Sequence, residues 1–161
     1  MSTLQQGSQA ELWQALIRES ARRGSIALDE HEESYLGFVL IRYQSDTQFA
    51  AHTLALDWLR AHEEARHARA DLLRDVGDRC LLLAGLFPQQ AERRRVSLDY
   101  FVTLGRGAYA GVAECARAGY ATLFEQLARA FLRLVDVLDG LRPQAAPRLL
   151  AIAPSPGTRR H

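Results

Sequence analysis

The segment from residue 120 to residue 141, YATLFEQLARAFLRLVDVLDGL, decides the fold class of this chain. Its large apolar residues recur at alternating spacings of four and three: Tyr120, Phe124, Leu127, Phe131, Leu134, Leu138 and Leu141. This spacing places an apolar stripe along one side of an α-helix, and such a stripe packs against a nearly parallel neighbouring helix. The segment therefore predicts one long helix in a helical bundle, with a capping box at Thr122 and Glu125.

Start and stop signals divide the preceding sequence into five further helices. The strings SQAE at residues 8–11 and SDTQ at residues 45–48 are capping-box sequences. Asp29 and Ser97 are residues of the kind that cap a helix, and Pro88 ends one. From these signals we predict helices that end near Arg23, Tyr43, Ala61, Leu86 and Ala118.

The predicted fold is all-α, with a single-domain irregular bundle of about six helices at residues 8–141. The apolar run YLGFVLIRY at residues 35–43 has strand propensity, but the glutamates before it are typical of a helix start. Residues 1–7 are predicted to form a flexible amino terminus. Four of the five prolines follow residue 142, so residues 142–161 are predicted to form a disordered tail.

The composition argues against several classes of function. The chain has 161 residues and a net charge of +1, whereas a dedicated nucleic-acid binder usually carries a basic surplus. All 20 basic residues are arginine, which excludes Schiff-base, pyridoxal-phosphate and P-loop lysine chemistry. The lack of lysine and asparagine also points to a GC-rich bacterial genome. No apolar run approaches the ~20 residues of a membrane span and no secretory signal is visible, so we expect a cytoplasmic protein without a membrane partner.

Nucleophilic catalysis is not indicated by the sequence. Cys80 and Cys115 lie in apolar surroundings, and we predict two buried, inert thiols. No serine has the GxSxG setting of a nucleophile elbow, and we predict no cofactor. Opposite charges four residues apart predict the pairs Asp75–Arg79 and Arg74–Asp78 on one helix.

A set of histidines and glutamates forms the alternative hypothesis, a metal-dependent helical-bundle enzyme. Glu64 and His67 have the ExxH spacing that ferritin-like bundles use on one helix face, and His62 lies nearby. His31 and Glu33 are the further candidate ligands. A di-metal site needs a second ExxH pair, and no histidine occurs between residues 68 and 160. The simpler interpretation of these residues is solvated charge and a favourable helix start.

A stripe of small residues on the helix that follows Ser97 suggests a site of close helix contact. The stripe recurs every four residues at Gly107, Gly111, Cys115 and Gly119. Tyr100 and Leu104 lie on the same flank of the helix. Glycine costs about 1 kcal/mol relative to alanine inside a helix, so repeated glycines indicate close approach by another helix. That helix belongs either to this chain or to a partner, and the sequence leaves both possibilities open. If it belongs to a partner, the predicted partner-binding residues are Tyr100, Leu104, Gly107 and Gly111.

The resulting functional hypothesis is a non-enzymatic helical protein with a regulatory role, which acts by binding another protein or by self-association. The basic run of Arg93, Arg94 and Arg95 supports a third hypothesis, nucleic-acid binding. The helix that follows this run is too apolar to read a solvated groove, so nucleic acid is not the expected partner.

Overall fold

The computed structural model describes residues 2–44, 58, 66–89 and 97–150. Within these ranges the chain is helical and contains no strand, which confirms the all-α prediction. The helices are α1 (Ser2–Arg23), α2 (Glu30–Gln44), α3 (Arg66–Leu86), α4 (Leu98–Cys115), α5 (Ala118–Arg129) and α6 (Phe131–Leu150). Among the described residues no helix is long and apolar enough to cross a membrane.

Two of the predicted helix caps are confirmed. At the start of α2, the Glu32 amide donates to Asp29 Oδ1 at 2.8 Å, and the Asp29 amide donates back to Glu32 Oε1 at 3.1 Å. This reciprocal pair is a capping box, and it explains why Glu32 is buried although it is charged. At the start of α4, the side chain of Ser97 accepts a hydrogen bond from the Tyr100 amide at 3.1 Å.

The segment at residues 120–141 forms parts of two helices, so the prediction of one long helix was wrong. Ala130 separates α5 from α6 with backbone angles φ −87° and ψ 1°. Thr122 does not cap a helix, because α5 already begins at Ala118 and the Thr122 hydroxyl donates to the Ala118 carbonyl at 3.1 Å. The apolar stripe is buried except at Tyr120, whose side chain is 65% exposed.

Both ends of the described chain are more helical than the sequence signals indicated. Helix α1 begins at Ser2, so the SQAE string lies inside it and does not start it. Helix α6 continues to Leu150 in spite of its two internal prolines, because Ala145 and Leu149 extend the buried stripe beyond Leu141 at spacings of four. The predicted tail therefore began too early, and residues 151–161 lie outside the described residues. The helix predicted after residue 45 also lies outside them, apart from the helical Trp58.

The helices group into two compact units. One contains residues 1–51 and 136–161, and the other contains residues 52–135. In the first unit, the Ser20 hydroxyl donates to the Val137 carbonyl at 2.6 Å and joins α1 to α6. Trp13 is buried in the same unit, and its Nε1 donates to Gln44 Oε1 at 3.1 Å.

The second unit is built around α3. Every residue from 76 to 87 is buried, including the charged Asp78 and Arg79. Residues 80–87, CLLLAGLF, are apolar on all sides of the helix, which is typical of a central helix. Helices α4 and α5 pack in this unit as an antiparallel pair joined at Ala116 and Arg117, which are both extended. This unit holds the residues that the sequence analysis assigned to partner binding.

Candidate functional site

Two glycines, Gly77 and Gly105, lie where α3 and α4 are in close contact. A Cβ on Gly77 of α3 would overlap the ring of Tyr109 on α4. A Cβ on Gly105 of α4 would overlap the Phe131 ring and lie 3.0 Å from Cβ of Cys80. These contacts are closer than side chains allow, so the glycines are required by packing within the chain. The prediction that the glycines in and around α4 mark close helix approach is confirmed at Gly105. Gly77 was not part of that prediction, and a Cβ on Gly119 would meet no atom within 4 Å.

Tyr109 is the centre of this contact. Its ring packs edge-on against Phe124 and Phe131, with centroid distances of 5.5 and 5.6 Å. Its hydroxyl donates to Asp78 Oδ1 at 2.8 Å, and both side chains are completely buried. A buried carboxylate needs hydrogen-bond partners, and the Tyr109 hydroxyl is one of them. Sequence spacing predicted Arg74 as the partner of Asp78 and gave no indication of Tyr109.

The four predicted partner-binding residues lie along one flank of α4 but differ in what covers them. A Cβ on Gly111 would lie 2.8 Å from Cδ1 of Leu73 on α3, and a Cβ on Gly107 would lie 3.3 Å from Cη2 of Trp58. Both glycines therefore face side chains of this chain. Leu104 is half-buried, and Tyr100 is 41% exposed.

The amino-terminal end of this flank is the exposed candidate surface. Tyr100 and Leu104 are one helical turn apart on the same side of α4. The Ser97 cap holds the backbone amide of Tyr100, and the Tyr100 ring contacts the buried Phe101 ring at a centroid distance of 5.9 Å. Leu98, in the same first turn, is 43% exposed. This arrangement places aromatic and aliphatic side chains together at the surface, and such a patch suits contact with another protein.

The alternative metal-binding residues are only partly within the described structure. His31 is exposed, and Glu33 Oε1 accepts a hydrogen bond from Arg18 Nε at 2.8 Å. His62, Glu64 and the side chain of His67 lie outside the described residues. Within the described ranges, no three His, Cys, Asp or Glu side chains are grouped as metal ligands. The basic run of Arg93, Arg94 and Arg95 also lies outside them.

The two cysteines differ in exposure. Cys80 is buried on α3, and burial raises the pKa of its thiol to about 12, so it stays protonated and unreactive at neutral pH. Cys115 is partly exposed at the end of α4, so the prediction of a second buried thiol was wrong. The helix ends at this residue, and this end is only partly covered. The predicted pair of Asp75 and Arg79 is confirmed, with Arg79 Nη2 3.6 Å from Asp75 Oδ2.

Comparison with known proteins does not place this chain in a family. No family model matches the chain, and no curated protein or solved structure matches it.

Proposed function

We propose that this chain is a non-enzymatic protein that binds another protein through the amino-terminal half of α4. The observation that carries the proposal is that Tyr100 is exposed, whereas other residues on the same flank of α4 are covered by side chains of this chain. The flank is occupied from within at Gly111 and Gly107, and it opens to solvent at Leu104 and Tyr100. Its open end is the part that a partner can contact.

The chemistry of this surface supports protein binding. Tyrosine is one of the few residue types that carry most of the binding energy at protein interfaces, since it buries a large rigid ring and keeps a polar hydroxyl. The edge contact of the Tyr100 ring with the buried Phe101 ring and the Ser97 cap on the Tyr100 amide restrict the movement of Tyr100 before binding. A protein that binds without catalysis acts by changing the availability or activity of its partner, so the proposal includes a regulatory role.

The test compares the proteins that three immobilised forms of the chain retain from a lysate. The forms are the unmodified chain, Tyr100→Ala and Tyr120→Ala. Tyr120 is the matched control because it is an exposed tyrosine on α5, away from the proposed surface. Gly111→Leu is unsuitable as a binding variant, because its side chain would collide with Leu73.

The expected result is one protein that the unmodified chain and Tyr120→Ala retain and that Tyr100→Ala loses. Equal retention by all three forms would place the interface elsewhere on the chain. If no form retains a specific protein, the binding proposal is contradicted.

A further inference from the structure

An open groove lies between α4 and α5 on the surface of the second unit. It has a volume of 320 Å³ and is lined by Ala110, Ala113, Glu114, Glu125, Ala128 and Arg129. The three alanines have short side chains, so a helix that enters the groove can approach α4 and α5 closely. The charged residues decide which helix fits.

The two charged side chains of the groove that are available to bind another helix are both on α5. Glu125 and Arg129 are exposed and one helical turn apart, on the same side of the helix. Neither forms a hydrogen bond or an ion pair within the described part of the chain, whereas Glu114 already has an interaction. The groove therefore presents one carboxylate and one guanidinium, both unpaired among the described residues, in a fixed order along α5. A helix with the same two charges in the reverse direction is complementary to it.

We propose that this groove binds a second copy of this chain, with the two α5 helices antiparallel about a two-fold axis. A two-fold interface is reciprocal: if residue i of one copy contacts residue j of the second copy, then residue j of the first copy contacts residue i of the second. An axis between Glu125 and Arg129 places each Glu125 opposite Arg129 of the second copy. The two charges on each α5 helix then form two ion pairs across the interface.

The same register also covers an exposed apolar side chain. It brings Thr122 near the first turn of α6 of the second copy, which carries Leu132 with 52% of its surface exposed. The Thr122 hydroxyl is already bonded to the Ala118 carbonyl, so its methyl group is left for contact. An interface of two 12-residue helices is smaller than the ~1,200 Å² of a stable complex, so the dimer forms and dissociates readily. This surface is separate from the Tyr100 surface, and the inference does not depend on the proposed function.

The experiment measures the dimer dissociation constant by sedimentation velocity for Glu125→Arg, for Arg129→Glu and for their equimolar mixture. Each single substitution places like charges opposite each other and should weaken its own dimer about tenfold or more. In the mixture, all-positive helices face all-negative helices, so a heterodimer should form with an affinity close to that of the unmodified dimer. Only pairing of position 125 with position 129 makes two defective variants complementary.

Glu11→Arg is the matched control, because Glu11 is an exposed glutamate on α1 in the other unit. It should leave the dissociation constant unchanged, and circular dichroism should show that every variant remains folded. An unmodified chain that stays monomeric up to millimolar concentration would overturn the inference. Single variants that dimerise normally, or a mixture that stays monomeric, would overturn it as well.

Discussion

Gly77→Ala directly perturbs the packing of α3 against α4. The added methyl group would overlap the ring of Tyr109. That ring cannot move aside freely, because Phe124 and Phe131 pack on it and its hydroxyl is bound to Asp78. The substitution therefore forces either the ring or the helix to shift.

The change in the free energy of unfolding is the sum of one stabilising and two destabilising contributions. Replacing glycine by alanine inside a helix stabilises it by about 1 kcal/mol when nothing obstructs the methyl group. Overpacking a buried site costs about 1 to 3 kcal/mol, and weakening the hydrogen bond between Tyr109 and Asp78 costs a further ~1 to 3 kcal/mol. We expect a net loss of about 2 to 3 kcal/mol. For a chain of this size, such a loss lowers the melting temperature by roughly 4 to 12 °C.

Gly119→Ala is the matched control for this substitution. A Cβ on Gly119 meets no atom within 4 Å, and none of the described glycines has a positive φ. Alanine at this position should therefore stabilise the protein by about 0.5 kcal/mol. Thermal and urea unfolding, followed by far-ultraviolet circular dichroism, measure both changes. If Gly77→Ala stabilises the protein as Gly119→Ala does, the Tyr109 ring does not lie against α3 and the proposed packing is wrong.

Two further predictions concern a buried hydroxyl and the thiols. Ser20→Ala should lower the free energy of unfolding by about 1 kcal/mol, because it leaves the Val137 carbonyl without its hydroxyl donor; an unchanged urea midpoint would contradict this. A thiol reagent at neutral pH should label Cys115 and leave Cys80 unmodified until the protein unfolds, because burial raises the Cys80 pKa to about 12. Rapid labelling that persists in Cys115→Ser would show that Cys80 is accessible.

Local signals predicted the fold class and the helix starts that depend on one or two neighbouring residues. Asp29 and Ser97 cap their helices through hydrogen bonds that span three residues, so short-range sequence is sufficient to find them. The division at Ala130 has no such signal, since neither glycine nor proline marks it. The prolines after residue 142 were misleading, because the buried Ala145 and Leu149 keep α6 helical.

The candidate site was predictable only in outline. The glycines of this region correctly indicated close helix contact at Gly105 and Gly111 but not at Gly119, and sequence does not show which helix makes the contact. Gly111 faces Leu73 of the same chain, whereas Tyr100, on the same flank, is exposed. The buried pair of Asp78 and Tyr109 joins residues 31 positions apart, so no short-range sequence pattern indicates it.

The measurement that tests the central claim most directly is the affinity of the retained partner for Tyr100→Ala and for Tyr120→Ala, determined by titration calorimetry. If the open end of the α4 flank is the interface, Tyr100→Ala should weaken binding about tenfold or more, as expected for a tyrosine at the centre of an interface. Tyr120→Ala should bind as the unmodified chain does. Equal affinities for Tyr100→Ala and the unmodified chain would contradict the assignment of this surface to partner binding.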